Sequence, residues 1–286
     1  MIRHFDLALP HGITLACRGA GVGRTRVLLL HGFPEAAFVW DEVMGLLAPQ
    51  ACVAPNLRGF PGSSAPTALA AYRARPLVDD IAAVIEALGA PVDLLVAHDW
   101  GGALAWNLAA QRPQLLKRLL IINSPHPGAF LRELRDNPEQ QAASAYMNFL
   151  CRPDAEALLA EGDFARLWPF LGTAAWLTPE FRARYRETWS SGLAGPLNYY
   201  RASPLRPPQA GQDALASLSL PDDVVTVRVP TTVLWGERDA ALLPGLLQGL
   251  ERWVPTLDIV RVPDASHWIV HEQPRLVADR IAALLD

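Results

Sequence analysis

The stretch Leu94-Leu95-Val96-Ala97-His98-Asp99-Trp100-Gly101-Gly102-Ala103 dictates how the rest of the chain is to be read. Its apolar start reads as a buried strand, small residues flank Asp99, and an apolar helical pattern follows at once. Strand, sharp turn and helix make the local context of a nucleophile elbow, which lifts its central side chain clear of a sheet. Ala97, Gly101 and Gly102 have to be small where strand and helix nearly touch. Such elbows usually carry serine at the centre; this one carries aspartate, and that choice governs the chemistry.

Outward from the elbow the chain alternates strand and helix signals. Towards the N-terminus, His4 to Leu9 and Ile13 to Arg18 read as an antiparallel pair turning at Pro10-His11-Gly12. Arg26 to Leu30 and Ala51 to Pro55 read as buried strands, the first ending in His31-Gly32-Phe33-Pro34-Glu35. Phe38, Trp40, Val43, Leu46 and Leu47 fit a helix between them, and Leu77 to Leu88 fits an amphipathic helix stopped by Gly89. Towards the C-terminus, Leu119 to Asn123, Thr231 to Trp235 and Leu257 to Val262 complete the strand set, each followed by a loop and a helix. From His126 to about Asp213 strand-like runs vanish, and proline-broken helical segments rich in Trp and Tyr replace them. The pattern predicts an α/β architecture, a mostly parallel sheet with helices on both faces. Residues 1–125 and 214–286 form its core, and residues 126–213 an inserted helical cap.

Composition narrows the function. The 286 residues are 51% hydrophobic and 19% charged, enough for one large domain with an inserted lid. A net charge of −4 gives no footprint for nucleic acid or an anionic membrane. No apolar run approaches the ~20 residues that span a bilayer, and Met1 to Asp6 lacks the apolar segment of a signal peptide. Cys17, Cys52 and Cys151 are far apart and odd in number, which suits a reduced, cytoplasmic setting and offers no metal spacing.

Active sites of open parallel sheets lie beyond the carboxyl ends of the strands. Asp99, Asp239 in Trp235-Gly236-Glu237-Arg238-Asp239, and His267 in Asp264-Ala265-Ser266-His267-Trp268 all fall there, in the order nucleophile, acid, histidine. A carboxylate acylates poorly but can displace a leaving group at saturated carbon, giving an alkyl ester. With an ordinary pKa of ~3.9 it is ionised at neutral pH and needs no activating base. His267 is then required to activate the water that cleaves the ester, with Asp239 orienting its imidazole. Glu237, Asp222, Asp223 and Asp264 compete with Asp239 for that role. Backbone N–H groups of Phe33 and Trp100 are expected to form the oxyanion hole. Phe33, Trp100 and Trp268 side chains are expected to line an apolar pocket, and His31, Pro34, Tyr199 and Met147 are expected to line the same substrate pocket.

Taken together, His31-Gly32-Phe33-Pro34-Glu35, His98-Asp99-Trp100-Gly101-Gly102, Trp235-to-Asp239 and His267-Trp268 resemble the epoxide hydrolase and dehalogenase branch of the α/β-hydrolases, over nearly the full chain. The resemblance implies an α/β-hydrolase fold, no cofactor and no metal, and a small-molecule epoxide as substrate. It also implies two cap tyrosines that donate to the opening ring: Tyr146, beside Met147, and Tyr200, with Tyr199 competing. Related enzymes sometimes carry the acid after the preceding core strand; Asn123 stands there, which favours Asp239. Haloacetate dehalogenases place Arg where this chain has Trp100 and Ala103, and His-Trp where it has Tyr146-Met147. Haloalkane dehalogenases usually have Asn at the position of Phe33, although they share Trp100. A dehalogenase using the same Asp99, and a non-catalytic ligand-binding protein of this fold, are the alternatives. Asn56, where Asp is common, and Asp264-Ala265-Ser266, where Gly is frequent, depart from the epoxide hydrolase pattern, and Asp264 is close enough in sequence to perturb His267.

Overall fold

A computed structural model describes residues 1–172, 175–209 and 215–286. Eight strands form one sheet: β1 (Arg3–Ala8), β2 (Thr14–Ala20), β3 (Val27–Leu30), β4 (Cys52–Pro55), β5 (Val92–His98), β6 (Leu116–Ile122), β7 (Thr231–Gly236) and β8 (Leu257–Val262). Their spatial order is β1-β2-β4-β3-β5-β6-β7-β8. β1 with β2 and β2 with β4 are antiparallel, and every other pairing is parallel. All seven residues of β5 are buried, as are all four of β3. Because successive side chains point to opposite faces, a fully buried strand requires cover on both.

That cover comes from helices. α1 (Asp41–Leu46) packs on the C-terminal helix, α2 (Ala74–Ala87) packs on α3 (Asp99–Gln111), and α3 lies against β5. Between β6 and β7 the chain forms α4 (Pro127–Asp136), α5 (Pro138–Ala143), α6 (Tyr146–Leu150), α7 (Ala155–Phe164), α8 (Trp168–Leu171), α9 (Pro179–Ser190), α10 (Ala194–Ala202) and α11 (Asp222–Val225). α12 (Ile269–Glu272) and α13 (Pro274–Leu285) close the chain. The expected boundary at residues 213 and 214 lies outside the described residues. None of the described helices is long and apolar enough to cross a membrane.

Two local expectations are corrected. The helix expected over Phe38 to Leu47 is split: Ala37–Trp40 is a tight 3₁₀ turn before α1. After β7 the expected helix is replaced by two 3₁₀ turns, Pro244–Leu247 and Leu250–Arg252. The segment Leu242 to Leu250 is broken by Pro244, Gly245 and Gly249, the last at φ 68°, so the helical period is interrupted before a second turn can form. Burial pushes the thiols of Cys17 and Cys52 up to about 12, as for small buried apolar side chains.

Candidate active site

The elbow has the form its sequence suggests. Asp99 is held at φ 50°, a left-handed conformation uncommon outside glycine. The space around it is fully used. A Cβ on Gly32 would fall 2.1 Å from Asp99 Oδ1, and one on Gly101 would fall 2.6 Å from the His31 carbonyl oxygen. The Ser124 hydroxyl donates to the Asp99 carbonyl at 2.6 Å and fixes the turn from the β6 side. The Phe33 N–H donates to Asp99 Oδ1 at 2.7 Å. Trp100 is the second residue of α3, where a backbone N–H has no partner within the helix and is free to face an oxyanion.

His267 lies opposite. Its Nδ1 is 2.6 Å from Asp239 Oδ2, and its Nε2 is 3.8 Å from Asp99 Oδ2. Asp239 is 4% exposed and well held: Oδ1 accepts from the N–H groups of Ala241 and Leu242, and Oδ2 accepts from the Asn123 amide at 2.8 Å. Asn123, at the position where related enzymes sometimes carry the acid, is thus a donor to Asp239. Burial raises the Asp239 pKa, but His267 and these donors outweigh it and hold the carboxyl below its usual range. Burial likewise opposes the His267 imidazolium, yet Asp239, Asp99 and Glu35 together raise its pKa to about 9. Asp264 is not among the groups that shift it, contrary to expectation. Its side chain is 80% exposed and paired with Arg238, so water screens it. Asp222 pairs with Arg252. Asn56 pins its loop, accepting from the Ala37 N–H and donating to the Pro61 carbonyl.

The tyrosines arrive from the inserted helices. Tyr146 opens α6 and Tyr200 lies in α10, their rings 6.2 Å apart and edge-on. Tyr200 also packs edge-on against Trp100 at 5.0 Å and Phe33 at 5.4 Å. Burial raises both phenol pKa values, and the Asp99 charge adds to each, so both hydroxyls stay protonated donors. Tyr199 is directed elsewhere. Its hydroxyl donates to the Arg58 carbonyl at 2.9 Å, and Arg58 is itself locked to Asp80 by bonds of 2.7 and 2.6 Å. Gly59 and Gly195 bring this core loop against α10: a Cβ on Gly195 would lie 2.3 Å from the Gly59 oxygen.

Two cavities meet at Asp99, Tyr146 and Tyr200. One, of about 200 Å³, is largely apolar and lined by Trp100, Leu104, Phe130, Met147, Tyr199 and Leu205 among others. The second, of about 380 Å³, reaches His267 and Asp239 between Phe33, Phe170, Arg238 and Trp268. His31 and Pro34 line neither. His31 is fully buried, its Nε2 accepting from the Leu57 N–H at 3.1 Å, and burial lowers its pKa to about 4. Pro34 turns its carbonyl to the Trp189 indole at 2.7 Å. Both brace the loop through these bonds. Phe130 and Phe170 were not legible as wall residues, because an aromatic on a helix carries the same period whether it faces core or cavity. No cluster of three or more metal-ligating side chains occurs among the described residues.

Residues 25–274 match the family model for the alpha/beta hydrolase fold. A Bacillus subtilis protein described as AB hydrolase superfamily protein YfhM is 35% identical over 96% of this chain and 95% of its own length. Epoxide hydrolase 3 of Xenopus tropicalis is 33% identical over 88% of this chain and 68% of its own. The crystal structure of Bacillus megaterium epoxide hydrolase with an inhibitor superposes with a TM-score of 0.89 at 30% identity, covering 98% of this chain and 99% of that one. The elbow, the sheet order and these likenesses agree: the chain belongs to the α/β-hydrolase family, in the branch that holds proteins named epoxide hydrolases.

Proposed function

We propose that this protein adds water to an epoxide and releases a vicinal diol through an alkyl ester on Asp99. The observation that carries this reading is the meeting of a nucleophile-placed carboxylate with two protonated phenols in one apolar space. In the first step an Asp99 oxygen attacks a ring carbon and the carbon–oxygen bond opens. Tyr146 and Tyr200 donate to the alkoxide as it forms, which a halide leaving group would not need. In the second step His267 Nε2 takes a proton from water, which attacks the Asp99 carboxyl carbon. The Phe33 and Trp100 N–H groups hold the tetrahedral oxyanion, each worth ~10²–10³ in rate. Collapse releases the diol and restores the carboxylate, and Asp239 stabilises the transient imidazolium. Helices α4 to α10 act as the cap that carries the phenols and the apolar wall. The relatives named epoxide hydrolases support the substrate class.

A panel of aryl and alkyl epoxides together with haloacetates and haloalkanes tests the reading. Diol formation without halide release is the expected result. Halide release without diol would assign the same Asp99 to dehalogenation. Binding with neither product would make the protein a receptor built on a hydrolase fold.

A further inference from the structure

Beneath His267, away from both cavities, lies a second cluster of buried ionisable groups that the two-step scheme does not use. Glu35 stands two residues after the oxyanion donor Phe33 and is 1% exposed. Its Oε1 accepts from the Tyr185 hydroxyl at 2.7 Å and from His271 Nε2 at 2.7 Å. Its Oε2 faces Nδ1 of His98, the residue before Asp99, at 3.2 Å, within ion-pair range, and neither of these two buried atoms completes a hydrogen bond. His98 Nε2 lies 2.9 Å from the main-chain oxygen of His267. A peptide oxygen only accepts, so His98 Nε2 carries a hydrogen. An ionised carboxylate also only accepts, so His271 Nε2 carries one too. Burial disfavours the Glu35 charge, but His271 and His98 outweigh burial and hold the carboxyl far below its usual range. Glu35 therefore remains an anion, and its field is among those that sustain the His267 cation.

The oxyanion loop, the elbow, the helix that follows His267, and cap helix α9 thus converge on one carboxylate. His271 is fixed independently of it: its ring stacks flat on Trp176, centroids 4.2 Å apart and planes 9° from parallel. An anchor of this kind matters because a buried carboxylate that loses a donor will reorient or take up a proton.

Resting on the ester reading above, we propose that His271 is a positioning residue for the hydrolytic step: it anchors Glu35, whose carboxylate faces His98, and His98 in turn holds the backbone of His267. Alkylation of Asp99 draws on the two phenols. Ester cleavage draws on His267 and on the Phe33 and Trp100 N–H groups. Loss of the anchor therefore slows the second step selectively.

The test is rapid-mixing single turnover with styrene oxide, with the alkyl-enzyme followed by quenched intact mass, in the parent and in His271→Phe, His271→Gln and Tyr185→Phe. Phenylalanine keeps the stack on Trp176 without a donor, whereas glutamine restores one. In His271→Phe ester decay is expected to slow about tenfold or more while ester formation stays within about threefold, and His271→Gln recovers most of the loss. Tyr185→Phe, which removes the other donor to the same oxygen, slows decay about threefold. Parental decay in His271→Phe would overturn the proposal. So would equal losses in both steps with no rescue by glutamine, the mark of a packing defect. If His271→Phe does not fold, Tyr185→Phe and His271→Gln decide: slowed decay in the former alone supports the anchor, and parental decay in both rejects it. A parent that forms no ester at all would overturn the ester reading itself, and the proposal with it.

Discussion

Asp99 sits at the end of β5, and Asp239 and His267 on the loops after β7 and β8, whereas Tyr146 and Tyr200 sit on helices laid over them. The two regions are positioned by different physics. On the floor, strand register fixes the elbow: Ala97 pairs with Leu30 on one side and Ile121 on the other, so Asp99, Phe33 and Asn123 emerge side by side. On the roof, position comes from edge-on aromatic packing and from a few long-range bonds. Tyr199 to Arg58, Trp189 to Pro34 and the Trp268 indole to the Phe170 carbonyl are three of them. The electrostatics divide in the same way. The floor holds charge, with His267 raised to about 9 by three carboxylates, whereas burial is the main cause that takes His31 and His126 down to about 4. The roof holds neutral donors kept neutral by burial. The scheme requires this division, since the nucleophile must be an anion and the groups that meet the alkoxide must carry protons.

Floor substitutions are expected to have the largest effect. Asp99→Ala should lower diol formation at least ~10⁴-fold, read by product assay under saturating epoxide. His267→Gln should fall by a similar factor but accumulate a mass adduct equal to one substrate, which Asp99→Ala cannot form. Equal behaviour of the two variants would erase the distinction between the two floor roles.

On the roof the test is a pair of neighbours. Tyr200→Phe should cost ~10² in the rate of ester formation, because it removes a donor aimed at the developing alkoxide. Tyr199→Phe should change that rate less than about threefold but destabilise the fold by about 1 kcal/mol, because its bond to the Arg58 carbonyl is structural. Rapid mixing and denaturant unfolding read the two. The reverse pattern would make Tyr199 the donor.

The smallest effect concerns pH. Alkylation removes the Asp99 charge that helps to raise His267, so the acid limb of ester decay should have its midpoint below about 9. In the free protein the folded pKa lies above the ordinary 6.5, so the stability His267 contributes is full below 6.5 and is lost as pH rises through about 9. Melting temperature followed from neutral to alkaline pH should show this decline, and His267→Gln should flatten it.

The floor was legible because each of its groups is tied to a strand end by a few residues of chain, so a local pattern fixes it in space. The Asp99 elbow and the His267 loop follow from neighbours in sequence, whereas the preference for Asp239 over the Asn123 position comes from the family resemblance. The roof was half legible. The spacing around Tyr199 and Tyr200 cannot say which hydroxyl faces Asp99; that of Tyr199 is taken by Arg58, 141 residues away. The Glu35 cluster was invisible for the same reason, since its partners Tyr185 and His271 lie 150 and 236 residues downstream. His31 lines neither cavity although the sequence points it there, since a histidine that caps a loop from inside has the same local sequence as one that faces a ligand.

The central claim is that a carboxylate oxygen of Asp99 becomes bonded to substrate carbon. One turnover in water enriched in heavy oxygen, with protein in excess over epoxide, measures this directly. The label should enter the peptide that contains Asp99, and the first diol released should carry none. A first diol that carries the label, with Asp99 unlabelled, would mean that water attacks the epoxide directly.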